Sequence, residues 1–285
     1  MIALNDRDAT DRARSRADDW TLEPLDAGAI RRAIRCPSGD ETIELEILDR
    51  VDSTNQHLLG NFGHRRAVLA EYQKRGRGRR GRGWIAPPMS GLCLSFGYRF
   101  NCGLPALGPL SLVAGVAAVE VVRAHGVEAR LKWPNDLVVG SRKLGGLLAE
   151  IRGGCSGPCQ VVLGVGINGR LPNAGDALAD AVPDQPWTDL FRETGRMPAR
   201  NRLAGELIAA LARTCAEFEA CGFAPFRDRW QALDALAGKP VRVFAADGRT
   251  FDGRASGVGA TGALKIDADG RIIELDAGEV SVRVR

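Results

Sequence analysis

Between Glu128 and Asn168 the chain reads as four strand-like stretches, "EARLKW", "DLVVG", "KLGGLLAEIR" and "CQVVLGVGIN", with short connections. Connections this short cannot hold the crossover helix that parallel neighbours need, so these strands pair antiparallel. Upstream, "ETIELEIL", "RAVLAEYQ" and "GLCLSFGYRF" have the same texture. A helix capped by Asp52 or Ser53 is expected between the first two, and another over Leu110–Ala124, closed by Gly126. "RNRLAGELIAALARTCAEFEACG" is a long amphipathic helix with its stop at Gly222. The class is therefore α+β, an antiparallel or mixed sheet with packed helices and not a doubly wound parallel sheet.

Texture divides the chain into three parts. Residues 1–42 form an N-terminal extension, partly disordered, because Met1 to about Asp19 alternates Asp and Arg with little to bury. Within it "LEPLDAGAIRRAIR" reads as a short helix. Residues 43–235 carry the sheet and the long helices. Residues 236–285 are short strands broken by "DG" and "TG" turns, the pattern of a small β-barrel.

No signal-type apolar core opens the chain, and the Ala/Val-rich run before Val122 reads as a buried helix, so a cytoplasmic, membrane-free protein is expected. Seven widely spaced cysteines do not suggest a secreted disulfide framework, and Cys155 and Cys159 have no histidine near enough to suggest a metal site. His57, His64 and His125 form no triad or ligand pattern.

Charge is concentrated. The net charge is +4, yet Lys74 to Arg82, "KRGRGRRGR", contributes five arginines and a lysine. The remainder is slightly acidic, which argues against a protein that coats nucleic acid with its whole surface. Gly76-Arg-Gly78-Arg-Arg-Gly81 matches a dinucleotide fingerprint on paper, but "GWIAPP" follows where a helix must open. A phosphate-binding P-loop fails as well, with Arg82 and Gly83 standing where Lys and Ser or Thr belong. Two readings remain for the tract. One is a basic RNA clamp. The other is a mobile lid whose arginine forks hold an anionic substrate, ordered only when the anion arrives. Its place between two core strands, with Trp84 at its exit, favours the lid.

"DSTN" (Asp52–Asn55), "GRGRRGR", "KWPND" (Lys132–Asp136), "RKLGGLLAE" (Arg142–Glu150) and "GVGIN" (Gly164–Asn168), in this order, resemble the biotin protein ligases, from about residue 45 to the C-terminus. The resemblance implies a catalytic domain like that of class II aminoacyl-tRNA synthetases followed by an SH3-like barrel. It implies two half-reactions, biotin plus ATP to biotinyl-5′-AMP and then transfer to a lysine of a biotin carboxyl carrier protein such as that of acetyl-CoA carboxylase. Ser53, Thr54, Asn55 and Gln73 match the family's polar biotin contacts. Gly76, Arg77, Gly78, Arg79 and Arg82 fall in its adenylate-binding loop, and Trp84 resembles the tryptophan that packs near the adenine. Lys143 matches the lysine beside the biotin carboxylate, with Gly145 offering close approach. Asn168 is expected to border the nucleotide, Asn135 to contact the region of Asp136, and Lys132 of the same motif to belong to the substrate-binding set. Asp136 is open between two roles, binding Mg²⁺ with ATP or orienting the attacking lysine. Many relatives begin with a winged-helix DNA-binding domain; about 45 residues precede the match here, so no specific DNA binding is expected. A lipoate or octanoate transferase of the same fold is the sister reading, without this Arg/Gly loop. Edge strands leave a homodimer open.

Overall fold

The computed structural model describes residues 23–34, 42–171, 186–245, 248–277 and 280–284. The Asp/Arg-rich start therefore lies outside the described residues. Seven strands form the main sheet: β1 (Glu44–Val51), β2 (Arg66–Gln73), β3 (Gly91–Phe100), β4 (Arg130–Lys132), β5 (Asp136–Val139), β6 (Arg142–Arg152) and β7 (Cys159–Asn168). Their order is β1-β2-β3-β7-β6-β5-β4. All neighbours are antiparallel except β1 and β2, which run parallel across a turn and the helix α2 (Thr54–Gly60). The sheet is thus mixed, as the strand spacing predicts.

Alternation along the strands decides what each face does. On β7, Val161, Leu163, Val165 and Ile167 enter the main core, while Gly164, Gly166 and Asn168 point the other way. The core face is covered by α3 (Leu110–Ala124), whose bounds match the sequence reading, and by α5 (Arg200–Cys221), which ends at Gly222 with φ 68°. Leu203, Leu207, Ile208, Leu211 and Phe218 recur at helical spacing on α5 and are buried. Each contributes about 1.5–3 kcal/mol of hydrophobic stabilisation. Among the described residues one helical stretch, Leu104–Ala124, is long and apolar enough to cross a membrane, and most of it is buried inside the protein.

The N-terminal extension is not all loose. α1 (Ala27–Ala33), capped by the Asp26 carboxylate accepting from Ala29 N, packs Ile30 into the core. It lies so close to α5 that a Cβ on Gly205 would stand 2.6 Å from the Ala33 methyl. The short helices α4 (Leu190–Thr194) and α6 (Ala224–Ala232) complete the main body.

The C-terminal strands are β8 (Pro240–Ala245), β9 (Thr250–Val258), β10 (Leu264–Ala268), β11 (Arg271–Leu275) and β12 (Val280–Val284). They form an antiparallel sheet in the order β11-β10-β9-β8-β12. The small β-rich unit expected from the turn spacing is thus present as one antiparallel sheet; among the described residues β11 and β12 form no ladder with each other. Their connection instead reaches toward the main domain, where the Ala277 carbonyl accepts from the Arg79 guanidinium. The two sheets share one core, which runs from α3 through Leu236 to Val241, Ala255 and Ile266. At the junction residues 233–235 pair with edge strand β4, Leu131 N donating to Leu233 O and Ala235 N to Leu131 O.

Candidate active site

The face of the sheet turned away from α3 and α5 is only partly covered. α2 closes one end, packing Leu58 and Leu59 on Val68 and Val162. Beyond it lies a cavity of about 420 Å³. Its floor is Gly164 and Gly166 of β7 with Gly146 and Leu148 of β6.

One end of the cavity is polar. Ser53 caps α2, its hydroxyl accepting from Gln56 N at 3.5 Å, and it also lines the cavity. Of the two caps offered by the sequence, Asp52 and Ser53, the structure selects Ser53. Thr54 donates through its backbone N and its hydroxyl to Gln73 Oε1, at 2.8 and 3.0 Å. The Asn55 amide donates to Glu150 Oε2 at 2.8 Å and accepts from Ser95 Oγ at 2.5 Å. A side chain on Gly164 would meet Asn55 Oδ1 at 2.5 Å, so this floor position has room only for hydrogen.

The Arg/Gly tract, expected to be mobile without an anion, here folds back as a hairpin over the cavity. Gly78 N donates to Arg82 O and Trp84 N to Gly76 O, around a single 3₁₀ turn at Arg79–Gly81. Arg80, at φ 57°, adopts a left-handed conformation that a non-glycine residue enters at a cost. The Trp84 indole lies on the glycine floor; a Cβ on Gly166 would stand 2.5 Å from its ring. The indole Nε1 is buried without a nitrogen or oxygen partner, beside the Cys93 thiol. Burial pushes that thiol up to about 11, so it stays protonated at neutral pH and is no nucleophile.

The other end is cationic. Arg79, Arg82 and Lys143 line it, while Arg77 lines the cavity beside the polar end, its guanidinium 3.0 Å from Glu150 Oε1; Asp136 is the one carboxylate among the cavity's described lining residues. Lys143 Nζ lies 2.5 Å from Asp136 Oδ1, and 5.9 Å from the centre of the Trp84 ring. Burial pulls the Arg79 guanidinium down from its ordinary value, and Arg82 and Arg80 add to this against the opposing pull of Asp136. Lys132 is drawn down in the same way, by burial first, with Lys143, Arg283 and Arg82 adding against Asp136. With Asp136 already paired to Lys143, the cluster keeps an excess of positive charge that an entering anion would offset.

Three residues that the motifs bring in stand outside the cavity lining: Gly76, Lys132 and Gly145. Gly76 is a spacer within the hairpin, where a Cβ would sit 2.3 Å from the Trp84 carbonyl oxygen. Gly145 is a spacer between strands, 2.6 Å from Gly166 O on the same measure. Lys132 reaches the cluster through its charge, from strand β4. Asn135 and Asn168 line the cavity but are also braces: Asn135 Nδ2 donates to Leu147 O at 2.6 Å, and Asn168 Nδ2 to Thr188 O at 2.9 Å. Sequence reasoning passed over Ser95, Glu150 and Trp187. Trp187 lines the cavity from a segment that pairs with Lys143, and the Arg192 guanidinium stacks 4.2 Å from its ring centre.

For a metal ion the donor set is thin. Asp136 is already paired with Lys143 and sits among cations, and no group of three His, Cys, Asp or Glu side chains that could hold a metal exists among the described residues. The site does not fit a protein-built metal cage.

Known proteins resemble this chain in sequence and in fold. A model of the biotin/lipoate A/B protein ligase family matches residues 47–168, and one of the biotin protein ligase C-terminal domain matches residues 237–283. The bifunctional ligase/repressor BirA of Escherichia coli is 40% identical over 241 residues, covering 83% of this chain and 73% of that protein. The biotin–[acetyl-CoA-carboxylase] ligase of Mycobacterium tuberculosis is 32% identical over 281 residues, covering 95% of this chain and 98% of that one. A biotin protein ligase from Aquifex aeolicus, solved in complex with biotin and ATP, has a TM-score of 0.70 at 25% identity, covering 85% of this chain and 99% of that one. With the glycine floor, the polar end and the arginine hairpin held on one sheet face, the chain belongs to the biotin protein ligase family.

Proposed function

We propose that this protein activates biotin with ATP and transfers it to a lysine of a biotin carboxyl carrier protein. The observation that carries the reading is the convergence of Arg79, Arg82 and Lys143 on one cavity whose far end presents Ser53, Thr54, Asn55 and Gln73, with Arg77 held beside that far end by Glu150. Two anions must meet in the first step. Unit charges about 3.5 Å apart repel by roughly 5 kcal/mol at an effective dielectric of 20, so fixed cations between them lower the barrier. A biotin carboxylate oxygen attacks the α-phosphorus, and pyrophosphate leaves with the charge that the arginines are placed to meet. Lys143 then stands between carboxylate and phosphate, released from Asp136. In the second step the carrier's amine attacks the acyl carbon and AMP leaves. That amine must first lose a proton, and the freed Asp136 carboxylate is the acceptor nearest the cluster.

Mg²⁺ enters this proposal only as a companion of the nucleotide, with phosphate oxygens as its main ligands and Asp136 as at most one more. The carrier of acetyl-CoA carboxylase is the proposed partner, by likeness to the relative from M. tuberculosis, whose name specifies that carboxylase. Ligase activity without operator binding, and a homodimer paired along an edge strand, are also proposals. A gel shift with operator DNA and sedimentation of the purified chain test them.

The reaction is tested by incubating the chain with biotin, MgATP and a carrier domain and weighing the carrier. A gain of one biotinyl group supports the reading. An unchanged mass with biotin, and a gain with lipoate or octanoate, would move the assignment to the sister activity. In a thermal-shift scan biotin with MgATP stabilises the chain; stabilisation by RNA alone at moderate salt would favour the basic clamp.

A further inference from the structure

Glu150 stands just outside the cavity lining, behind its polar end, with its side chain 19% exposed. Each of its oxygens has a task. Oε2 accepts from Asn55 Nδ2 at 2.8 Å, and Oε1 faces the Arg77 guanidinium at 3.0 Å. A line of polar contacts continues from Asn55 to Ser95 at 2.5 Å, from Ser95 to Thr54 Oγ1 at 2.8 Å, and from Thr54 to Gln73. Thr54, Asn55 and Ser95 are buried, so a wrong orientation anywhere in the line leaves a group unpaired. An ionised carboxylate only accepts. Asn55 Nδ2 also donates to Leu148 O at 3.3 Å, so this carboxylate and that carbonyl together draw the Asn55 NH₂ toward themselves and turn the Asn55 oxygen toward the Ser95 hydroxyl. Gln73 Oε1 is held by Thr54, which turns the Gln73 NH₂ the other way, toward the Cys93 thiol.

We propose that Glu150 is a positioning residue for biotin binding, fixing the Asn55 amide at the polar end and anchoring Arg77 of the hairpin above it. The inference rests on the biotin-ligase reading. Glutamine at this position keeps one acceptor oxygen and cannot serve both partners. Aspartate keeps two oxygens on a shorter arm.

The test is biotin-dependent ATP–pyrophosphate exchange by the full chain. Glu150→Gln raises the KM for biotin about tenfold, the loss of one charge-assisted hydrogen bond, with kcat and the KM for ATP within about twofold. Glu150→Asp falls between this variant and the wild type. In an Arg77→Met background one oxygen suffices, so adding Glu150→Gln changes the biotin KM by less than about twofold. Three results overturn the proposal: an unchanged biotin KM, a fall in kcat alone, or an undiminished effect in the Arg77→Met background. If Glu150→Gln fails to fold, Glu150→Asp carries the same KM comparison. A wild-type chain without exchange overturns the ligase reading and this role together. A wild-type chain that exchanges beside an unaffected Glu150→Gln overturns this role alone.

Discussion

Arg200 and the hairpin arginines are the same side chain in opposite circumstances. Arg200, 2% exposed, binds three separate chain segments: its Nε donates to Gly91 O, and one terminal nitrogen donates to Glu23 O and to Glu71 Oε2. It staples the N-terminal segment to β2, β3 and α5, helped by Asn201, which donates to Pro24 O and accepts from Asp26 N. Arg79 and Arg82 sit instead on a glycine hairpin beside a cavity with a single carboxylate among its described lining residues. Where backbone and carboxylate acceptors surround it, arginine holds the fold together. On the hairpin Arg79 reaches the Ala277 carbonyl, but the cavity beside it offers a single lining carboxylate, and there arginine is kept for a ligand.

The strongest way to break this comparison is at Arg200. Arg200→Met leaves Glu71 short of its partner in a buried setting, and the expected loss of stability is about 3–5 kcal/mol. Chemical denaturation measures it, and exchange activity per folded molecule should stay near that of the wild type. A stable variant lacking activity would reverse the assignment of roles.

Asp234 sharpens the point, as a buried charge with incomplete pairing. It lies at the domain junction, 1% exposed, with Oδ1 accepting from Leu236 N and Oδ2 without a partner. Burial raises its carboxyl from 3.8 to about 6. A raised acid pKa means that the folded state holds the proton more tightly. The stabilisation is full below the ordinary value and is lost as pH rises through about 6. Asp234→Asn should therefore match the wild type near pH 4 and exceed it at neutral pH by no more than about 3 kcal/mol. Melting curves across this range check it; a constant difference would show that the carboxylate is neutralised by other means.

The smallest expected effect is at the floor. Gly166→Ala places a methyl against the Trp84 ring and should lift the hairpin with little change in melting temperature. Tryptic cleavage within Lys74–Arg82 should then quicken several-fold, as local opening becomes easier. Unchanged cleavage would mean that the indole does not hold the hairpin down.

Much of this was legible in the sequence, and the parts that were not share a cause. The α3 bounds and the Gly222 stop follow from periodicity and glycine, which are local signals. Lys143 and the arginines converge as their motifs imply. Glu150 and Ser95 were missed because each sits on the face of a strand opposite the core, where a polar residue looks merely exposed. Only the packing of α2 against that face makes them partners of Asn55. Trp187 gives no local sign either, since its place depends on pairing with Lys143. Gly76 and Gly145 show the converse error: glycine announces that something comes close, and here it is the protein's own backbone.

The most direct test of the central claim, that cations gathered at one cavity join a carboxylate to a nucleotide phosphate, is biotin-dependent pyrophosphate exchange in Arg79→Ala and Lys143→Ala beside the wild type. Each variant should lose about 100-fold or more, the scale of removing one preorganised charge from a reacting centre, while melting within a few degrees of the wild type. Near-normal exchange in the Lys143→Ala variant would contradict the account.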